Sequence, residues 1–348
     1  MENTTIITTV SSTDNSNSVT TLNIIIFVLF AIIFLFGTIG NGLVLYYFRF
    51  KDKPLGIATE KRRISEFLFS LLSLVDFFAA ALNSALYMYW NVTDYKWHLG
   101  YWSCKILVPL GTIATTMSGG IIAVLSFDRH RAIVYPFKSH FKLFHIKIWI
   151  FCVLVYSLLI NAHYSINISL HNNRCNVRDT SKKTYSIPTI IHFFLNDCTL
   201  LFVINFTNYR IFSKRLHLSP TSTLMKMLGS NACKRRKKDN SRTIRLLVVM
   251  TIVFFLLTLP RDILQFVFLM SWLIGDGIVV SKALNSLNSF LKVFNVANSC
   301  VNPIIFYGMH AGFNVFIKSF FCKPKSLIRG RRISVNEMAT FVRSQSAI

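Results

Sequence analysis

The chain has 348 residues, of which 53% are hydrophobic and 15% are charged, whereas about 25% of the residues in an ordinary soluble domain are charged. This composition excludes an intrinsically disordered protein and argues against a soluble enzyme. The formal net charge of +24 is compatible with a nucleic-acid partner or with an anionic membrane surface, but the basic residues lie between long apolar runs, which favours the membrane and no nucleic acid.

Seven apolar runs are each long enough to cross a bilayer, because a hydrocarbon core of about 30 Å requires about 20 residues of helix. The predicted spans cover residues 22–48, 64–90, 101–134, 146–168, 185–212, 243–272 and 282–307. These runs are too long for the strands of an outer-membrane barrel, and they do not alternate as such strands do. The sequence therefore predicts an all-α fold, a seven-transmembrane helix bundle.

Basic residues set the orientation of this bundle. They are concentrated in the connections after the first, third and fifth spans and in the tail, and they include the Lys-Arg-Arg-Lys-Lys run at 234–238, whereas the first 24 residues contain no Lys or Arg. The positive-inside rule then places the N-terminus outside the cell and the C-terminus inside. We therefore divide the chain into an extracellular N-terminal segment (1–21), a membrane domain with a short cytoplasmic helix (22–322) and a cytoplasmic tail (323–348). The 234–238 run is expected to contact anionic lipid or an acidic partner surface.

The outer side carries glycosylation sequons and two cysteines. The sequons begin at Asn3, Asn91 and Asn167, so glycosylation of these three asparagines is predicted. Of the seven cysteines, Cys104 and Cys175 fall on this side. They face an oxidising compartment and can pair.

The inner side carries two further candidate modification sites. Cys322 follows a short amphipathic stretch at 309–321, which is typical of palmitoylation, although an unmodified thiol is the alternative. The run Arg331-Arg332-Ile-Ser334 has the pattern of a basophilic-kinase site, and phosphate on its serine is expected to recruit an arrestin-like partner. The sequence contains no arrangement of residues typical of an enzyme active site.

A carboxylate lies deep in the second span. Asp76 stands about 11 residues, or about 16 Å, into that helix, close to the bilayer midplane, where an ionisable side chain is a functional hypothesis by default. Polar residues at similar depth in other spans are Asn41, Ser118, Asn298, Ser299 and Asn302. Such a cluster suits a monovalent cation such as Na⁺, or bound water. The alternative is a hydrogen-bond network that serves only to hold the helices together.

Charged residues and prolines mark two further features of the spans. The third span ends at Asp128-Arg129-His130, where the arginine either extends from the helix end to the membrane surface or forms an ionic latch with the neighbouring aspartate. Pro260 in the sixth span and Pro303 in the seventh each remove a backbone hydrogen bond. Both prolines mark either a static kink or a moving part.

In their order and spacing, these motifs resemble the class A (rhodopsin-like) G-protein-coupled receptors over residues 22–325. The residues that carry the resemblance are Gly40-Asn41, Leu72-Ser-Leu-Val-Asp76, Trp97-His-Leu-Gly100, Cys104, Asp128-Arg129-His130, Trp149, Phe254, Pro260, Asn302-Pro303, Phe313 and Cys322.

The resemblance implies roles for several of these residues. It implies a disulfide between Cys104 and Cys175. It also implies that Arg129 is freed on activation to meet a heterotrimeric G protein, and that Pro260 is the hinge of an outward movement of span six. The residues it assigns to a sodium site are Asp76, Ser118, Asn298 and Asn302.

The sequence departs from the family pattern at its switch residues. Thr258 stands at the usual tryptophan of span six, and Phe306, followed by Tyr307, stands at the usual tyrosine of span seven. A phenylalanine cannot form the hydroxyl bridge that stabilises the active state. A constitutively active receptor and an orphan receptor-like scaffold therefore remain alternatives. A transporter using Asp76 and Asp197 is a third alternative, but carriers usually show repeated halves, and none is detectable in this sequence.

The sequence narrows the class of ligand. Gly111 lies where amine receptors of the family carry an aspartate, and Val296 lies where opsins carry the lysine that binds retinal, so a monoamine has no obvious anchor and a Schiff base is excluded. The predicted pocket consists of Tyr87, Trp90, Thr112, Thr115, Thr258, Arg261, Asp262, Gln265, Asn288 and Lys292. Arg261 and Lys292 can receive a carboxylate or an amide carbonyl, while Asp262 can pair with a ligand cation or with one of these bases. Both charge signs beside aromatic surface suit a peptide, and the resemblance is to receptors of the neuropeptide type.

Overall fold

The computed structural model describes residues 16–51, 60–135, 141–177, 183–198, 202–207, 209–210, 213, 231–275, 277–279 and 281–321. Its α-helices are α1 (Ser16–Tyr46), α2 (Glu60–Val92), α3 (Tyr101–Val134), α4 (Leu143–Asn167), α5 (Lys183–His192), α6 (Asn231–Ile274), α7 (Lys282–Met309) and α8 (Ala311–Phe321). Two π-helical segments, Tyr47–Lys51 and Phe193–Cys198, continue α1 and α5. The predictions for Asn3, Cys322 and Ser334 lie outside the described residues.

The described helices account for most of the predicted spans. Five are long and apolar enough to cross a membrane: Thr21–Lys51, Arg62–Val92, Tyr101–Ala132, Leu143–Asn167 and Val248–Ile274. A sixth candidate is α7 taken together with α8, from which it is bent by 98°. The fifth predicted span, 185–212, is described as α5, the π-helical segment after it, the helical residues 202–207 and a few residues beyond them.

Helix packing brings the first and the seventh of the described α-helices together. α1 packs against α2 and α7, α2 against α3, α3 against α4, and α6 against α7. Polar side chains such as those of Asp76, Arg129 and Asn302 are buried, whereas Phe36 and Leu159 are 65% and 70% exposed. This inside-out distribution is expected when the surrounding solvent is lipid rather than water.

Two helices begin well before their predicted spans. α1 begins at Ser16 rather than at residue 22, and α6 begins at Asn231 rather than at residue 243. The apolar run marks the part of a helix that lies in lipid, whereas its polar extension continues the same hydrogen-bonded turns in water. The basic run at 234–238 consequently belongs to the cytoplasmic end of α6.

A short hairpin between α4 and α5 was not predicted. β1 (Ile168–His171) pairs antiparallel with β2 (Arg174–Val177), with Ile168 opposite Val177. The two turn residues, Asn172 and Asn173, have φ values of 48° and 55°, a conformation that asparagine tolerates better than most residues. The adjacent asparagines between two short β-prone segments were the signal for this turn.

Candidate functional site

An outer cavity of about 670 Å³ opens between the helices. All ten residues of the predicted pocket line it: Tyr87, Trp90, Thr112, Thr115, Thr258, Arg261, Asp262, Gln265, Asn288 and Lys292. They come from α2, α3, α6 and α7, whose packing places these positions around one space.

A second wall of the cavity was missed by the sequence analysis. It is formed by α4 and α5, and its residues include His163, Tyr164, Tyr185, Thr189 and His192. His163 Nε2 lies 3.0 Å from Thr189 Oγ1, which links the two helices. The polar residues near the end of the fourth apolar run, such as His163, were the available signal, because an ionisable side chain in a span commonly faces the interior.

The charges in the cavity do not balance. Arg261 and Asp262 form an ion pair with an N–O distance of 3.5 Å. Lys292 Nζ lies 5.7 Å from the centre of the Tyr87 ring, and no carboxylate among the described residues lies within ion-pair distance of it. The site thus combines an internal ion pair with an additional cation, so it can receive an anionic or carbonyl group from a ligand.

Two residues that depart from the family pattern, Gly111 and Thr258, have defined contacts in this region. A Cβ atom at Gly111 would overlap the side chain of Asn83, whose Nδ2 donates to the Gly111 carbonyl at 3.4 Å. A side chain at Gly111 would therefore require the Asn83 side chain to move. Thr258 is buried, and its hydroxyl donates to the Phe254 carbonyl at 2.9 Å.

The hairpin lies at the cavity and is covalently tied to α3. A disulfide joins Cys104, near the start of α3, to Cys175 on β2, as the family resemblance implied. Cys175 is followed by Asn176 and Val177, and all three line the cavity. Trp97 anchors the loop before α3, since its backbone N–H donates to the Asn173 carbonyl at 2.6 Å.

Below the cavity, Asp76 is the centre of a buried polar network. Ser118 donates to Asp76 Oδ1 at 2.7 Å, and Asn302 donates to Oδ2 at 2.5 Å. Asn298, one helical turn before Asn302, is also buried. Asn41 belongs to a neighbouring link, because its Nδ2 donates to the Ser299 carbonyl at 2.7 Å.

At the cytoplasmic end, Arg129 is held by two partners. Its guanidinium lies 2.9 Å from the Asp128 carboxylate, and both side chains are nearly inaccessible. The same guanidinium donates a hydrogen bond to Ser65 Oγ on α2. The contact with α2 was not predicted from the sequence. Its Nε has no hydrogen-bond partner among the described residues. The charge is nevertheless paired inside the bundle, so the arginine is arranged as a latch rather than as an exposed helix end.

Two predicted switch residues differ in their surroundings. Phe306 is fully buried, and its ring packs edge-on against Phe69 and Phe48, with ring centres 5.0 and 5.6 Å apart. Tyr307 is 40% exposed. Pro260 and Pro303 lie inside continuous helices, so the structure contains neither proline in a helix break.

Comparisons with known proteins agree with this architecture. The model of the family "7 transmembrane receptor (rhodopsin family)" matches residues 40–306. The bovine type-1 angiotensin II receptor is 25% identical over 295 residues, covering 80% of this chain and 75% of its own length. The human type-2 angiotensin II receptor is 22% identical over 331 residues, covering 90% of this chain and 86% of its own length.

The family match confirms the predicted class A resemblance and the seven-transmembrane bundle, and it excludes an enzyme. It also confirms a multi-pass protein of the plasma membrane. The chain belongs to the rhodopsin family of seven-transmembrane receptors.

Proposed function

We propose that this receptor converts the binding of an extracellular peptide into activation of an intracellular heterotrimeric G protein. The observation that carries the proposal is the outer cavity, which combines Arg261, Asp262 and Lys292 with tyrosine and tryptophan side chains. A peptide offers charged ends, carbonyl groups and aromatic side chains to such a surface. The relatives named as angiotensin II receptors favour the same class of ligand.

The proposal is tested by nucleotide exchange in membranes that contain the receptor and purified G proteins. A peptide library is applied, and binding of a non-hydrolysable GTP analogue is measured against membranes without receptor. Exchange that depends on both a peptide and the receptor supports the proposal. High exchange without any peptide favours the constitutively active alternative, and no exchange with a peptide that binds favours the scaffold. An arrestin at Ser334 and anionic lipid at 234–238 remain separate predictions.

Replacing Arg261 with alanine is expected to lower agonist potency by about tenfold to a hundredfold, because a charge-assisted hydrogen bond to the peptide is lost. Potency is measured in the exchange assay, and the amount of receptor at the cell surface is measured with an antibody. The matched control is Lys96→Ala, which removes an exposed cation outside the cavity. Unchanged potency in Arg261→Ala at normal surface expression would remove this arginine from the ligand site.

We also propose that Na⁺ binds at Asp76 as an allosteric ion, without any other cofactor. The carboxylate and hydroxyl oxygens of Asp76 and Ser118, with the amide oxygens of Asn298 and Asn302, are ligands of the type that a hard cation prefers. All four residues are buried, so a bound ion would favour the helix arrangement that encloses it.

For Asp76→Asn, we expect agonist affinity to become insensitive to sodium. In the unmodified receptor, raising NaCl at constant ionic strength, with choline chloride as the replacement salt, should weaken agonist binding by about tenfold, within the usual range of allosteric coupling. The asparagine keeps the size of the side chain but removes its charge. A sodium effect of equal size in the variant would contradict the proposed ion site.

A further inference from the structure

A second cavity, of about 590 Å³, forms a groove between α3, α4 and the segment that follows α5. Its lining is almost entirely apolar, and it consists of Thr116, Gly120, Ala123, Val124, Phe127, Trp149, Cys152, Val153, Tyr156, Leu195, Asn196 and Val203. Phe127 and Leu195 are 42% and 49% exposed, so the groove opens on the face of the bundle that meets lipid. Its upper end adjoins the outer cavity, because Thr116 and Asn196 line both.

Small side chains account for the groove. A Cβ atom at Gly120 would lie 2.5 Å from Val153 Cγ1, so α3 and α4 approach closely at that level. Towards the cytoplasm, Ala123 on α3 and Cys152 on α4 leave space between the two helices. The groove extends about 16 Å along α3, from Thr116 to Phe127, which is about half of the hydrocarbon core. Phe127 lies near the cytoplasmic end of α3. The groove therefore lies in the half of the hydrocarbon core that belongs to the cytoplasmic leaflet.

Basic residues lie at the cytoplasmic end of the same helix faces. Lys142, the N-cap residue of α4, and His145 in the first turn precede Trp149 at helical spacing, and both are exposed. On α3, Arg131 follows Phe127 by one turn, and its guanidinium lies 4.4 Å from the centre of the Phe141 ring. That ring packs against Trp149 at 4.7 Å, so the basic end is continuous with the groove.

An acidic residue also lies at this end. Glu60 Oε1 accepts a hydrogen bond from the backbone N–H of Leu143 at 2.8 Å. This carboxylate serves as a cap for α4. The two positive charges of Arg131 and Lys142 outnumber this one carboxylate, so the groove end is electropositive among the described residues.

We propose that an anionic phospholipid of the cytoplasmic leaflet places one acyl chain in this groove and its phosphate against the basic residues Arg131, Lys142 and His145. A groove that offers a ligand so little polar surface does not hold water well, whereas an acyl chain of the surrounding bilayer is apolar and long enough to fill it. The cytoplasmic leaflet is rich in anionic lipids, and each nearby basic residue attracts them. The apolar groove and the basic residues at its end therefore both favour an anionic phospholipid.

The proposal is tested on the full-length receptor in nanodiscs that contain phosphatidylserine with a photoreactive diazirine on its acyl chain. After illumination, cross-linked residues are mapped by mass spectrometry. We expect labelling of α3 and α4 at the groove, competed by unlabelled phosphatidylserine about fivefold better than by phosphatidylcholine. Equal competition by both lipids, or stronger competition by a sterol, would overturn the assignment of an anionic phospholipid.

Two pairs of variants separate the chain site from the headgroup site. Val203→Phe fills the groove, whereas Val155→Phe makes the same change at a lipid-facing position outside it. Lys142→Ala removes a cation at the N-cap of α4, at the cytoplasmic end of the groove, whereas Lys147→Ala removes an exposed cation on α4 itself.

We expect Val203→Phe to lower groove labelling about fivefold and Lys142→Ala to abolish the preference for phosphatidylserine, while both controls retain labelling and preference. Thermal unfolding of each variant verifies that it is folded. Equal labelling in Val203→Phe and Val155→Phe would refute the groove as the site of the acyl chain. An unchanged preference in Lys142→Ala would refute the headgroup site.

Discussion

Replacing Arg129 with alanine is expected to reduce agonist-stimulated nucleotide exchange by more than about tenfold, with ligand affinity changed by less than about threefold. The guanidinium lies at the cytoplasmic end of α3, paired with Asp128 and hydrogen-bonded to Ser65. If it is released on activation to contact the G protein, its loss removes a planar group with five donors from that contact. The outer cavity lies at the opposite end of the bundle and keeps its lining residues. Exchange is measured at saturating peptide, and affinity is measured by radioligand binding.

Two further variants distinguish release of the arginine from a structural role. Arg129→Lys keeps the charge but not the planar fork, so we expect partial recovery of exchange. Asp128→Asn removes the charge partner, and we expect it to raise exchange without ligand by about fivefold, because the latched state loses more stabilisation than the released state. Normal stimulated exchange in Arg129→Ala, or unchanged basal exchange in Asp128→Asn, would contradict the latch.

The seven spans could be predicted because lipid imposes a long apolar run on each helix. The same rule carries no information on where a helix ends in water, and so the extensions at Ser16 and Asn231 were missed. Contacts between helices could not be predicted, for a different reason. The approach of Asn83 to Gly111 and the hydrogen bond from Arg129 to Ser65 depend on how α2 and α3 are rotated against each other, and no local pattern encodes that rotation.

In the candidate site, too, some residues could be predicted from the sequence and others could not. The charged residues Arg261, Asp262 and Lys292 could be assigned to the outer cavity because each is an ionisable group in an apolar run, where burial in the bundle is favoured over exposure to lipid. The wall formed by α4 and α5 was missed, since polar residues interrupt the fifth run and obscure which face of the helix is apolar. His163 and His192 therefore emerged from the packing of these helices and not from the spacing of residues.

Phe306, which stands at the usual tyrosine of span seven, changes how the cytoplasmic end of α7 packs. In place of a hydroxyl, Phe306 presents a ring that packs against Phe69 of α2 and Phe48 of the first π-helical segment. This apolar contact holds the cytoplasmic end of α7 against α1 and α2. A movement of α7 away from α1 and α2 would separate these aromatic rings.

Loss of the disulfide is expected to lower agonist affinity by more than about tenfold and to reduce the amount of receptor at the cell surface. The bond fixes β2, which supplies Cys175, Asn176 and Val177 to the cavity, to the start of α3. Cys104 is fully buried and Cys175 is nearly so, in a cluster with Trp97 and Ile168. In Cys175→Ser the hairpin keeps its backbone pairing but gains freedom relative to α3, so ordering it around a ligand costs binding free energy.

A comparison of the two single cysteine variants with the double variant tests whether the loss of affinity comes from the disulfide bond. Cys104→Ser and Cys175→Ser each break the same bond, so the double variant should bind agonist no more weakly than either single variant. Cys300→Ser, which changes a cysteine outside the disulfide, serves as the matched control and should bind normally. Mild reduction with dithiothreitol should lower the affinity of the unmodified receptor to that of the double variant and leave the double variant unchanged. If the double variant instead lost as much binding free energy as the two single variants together, each cysteine would act through its own packing. The hairpin would then be held in place without the covalent bond.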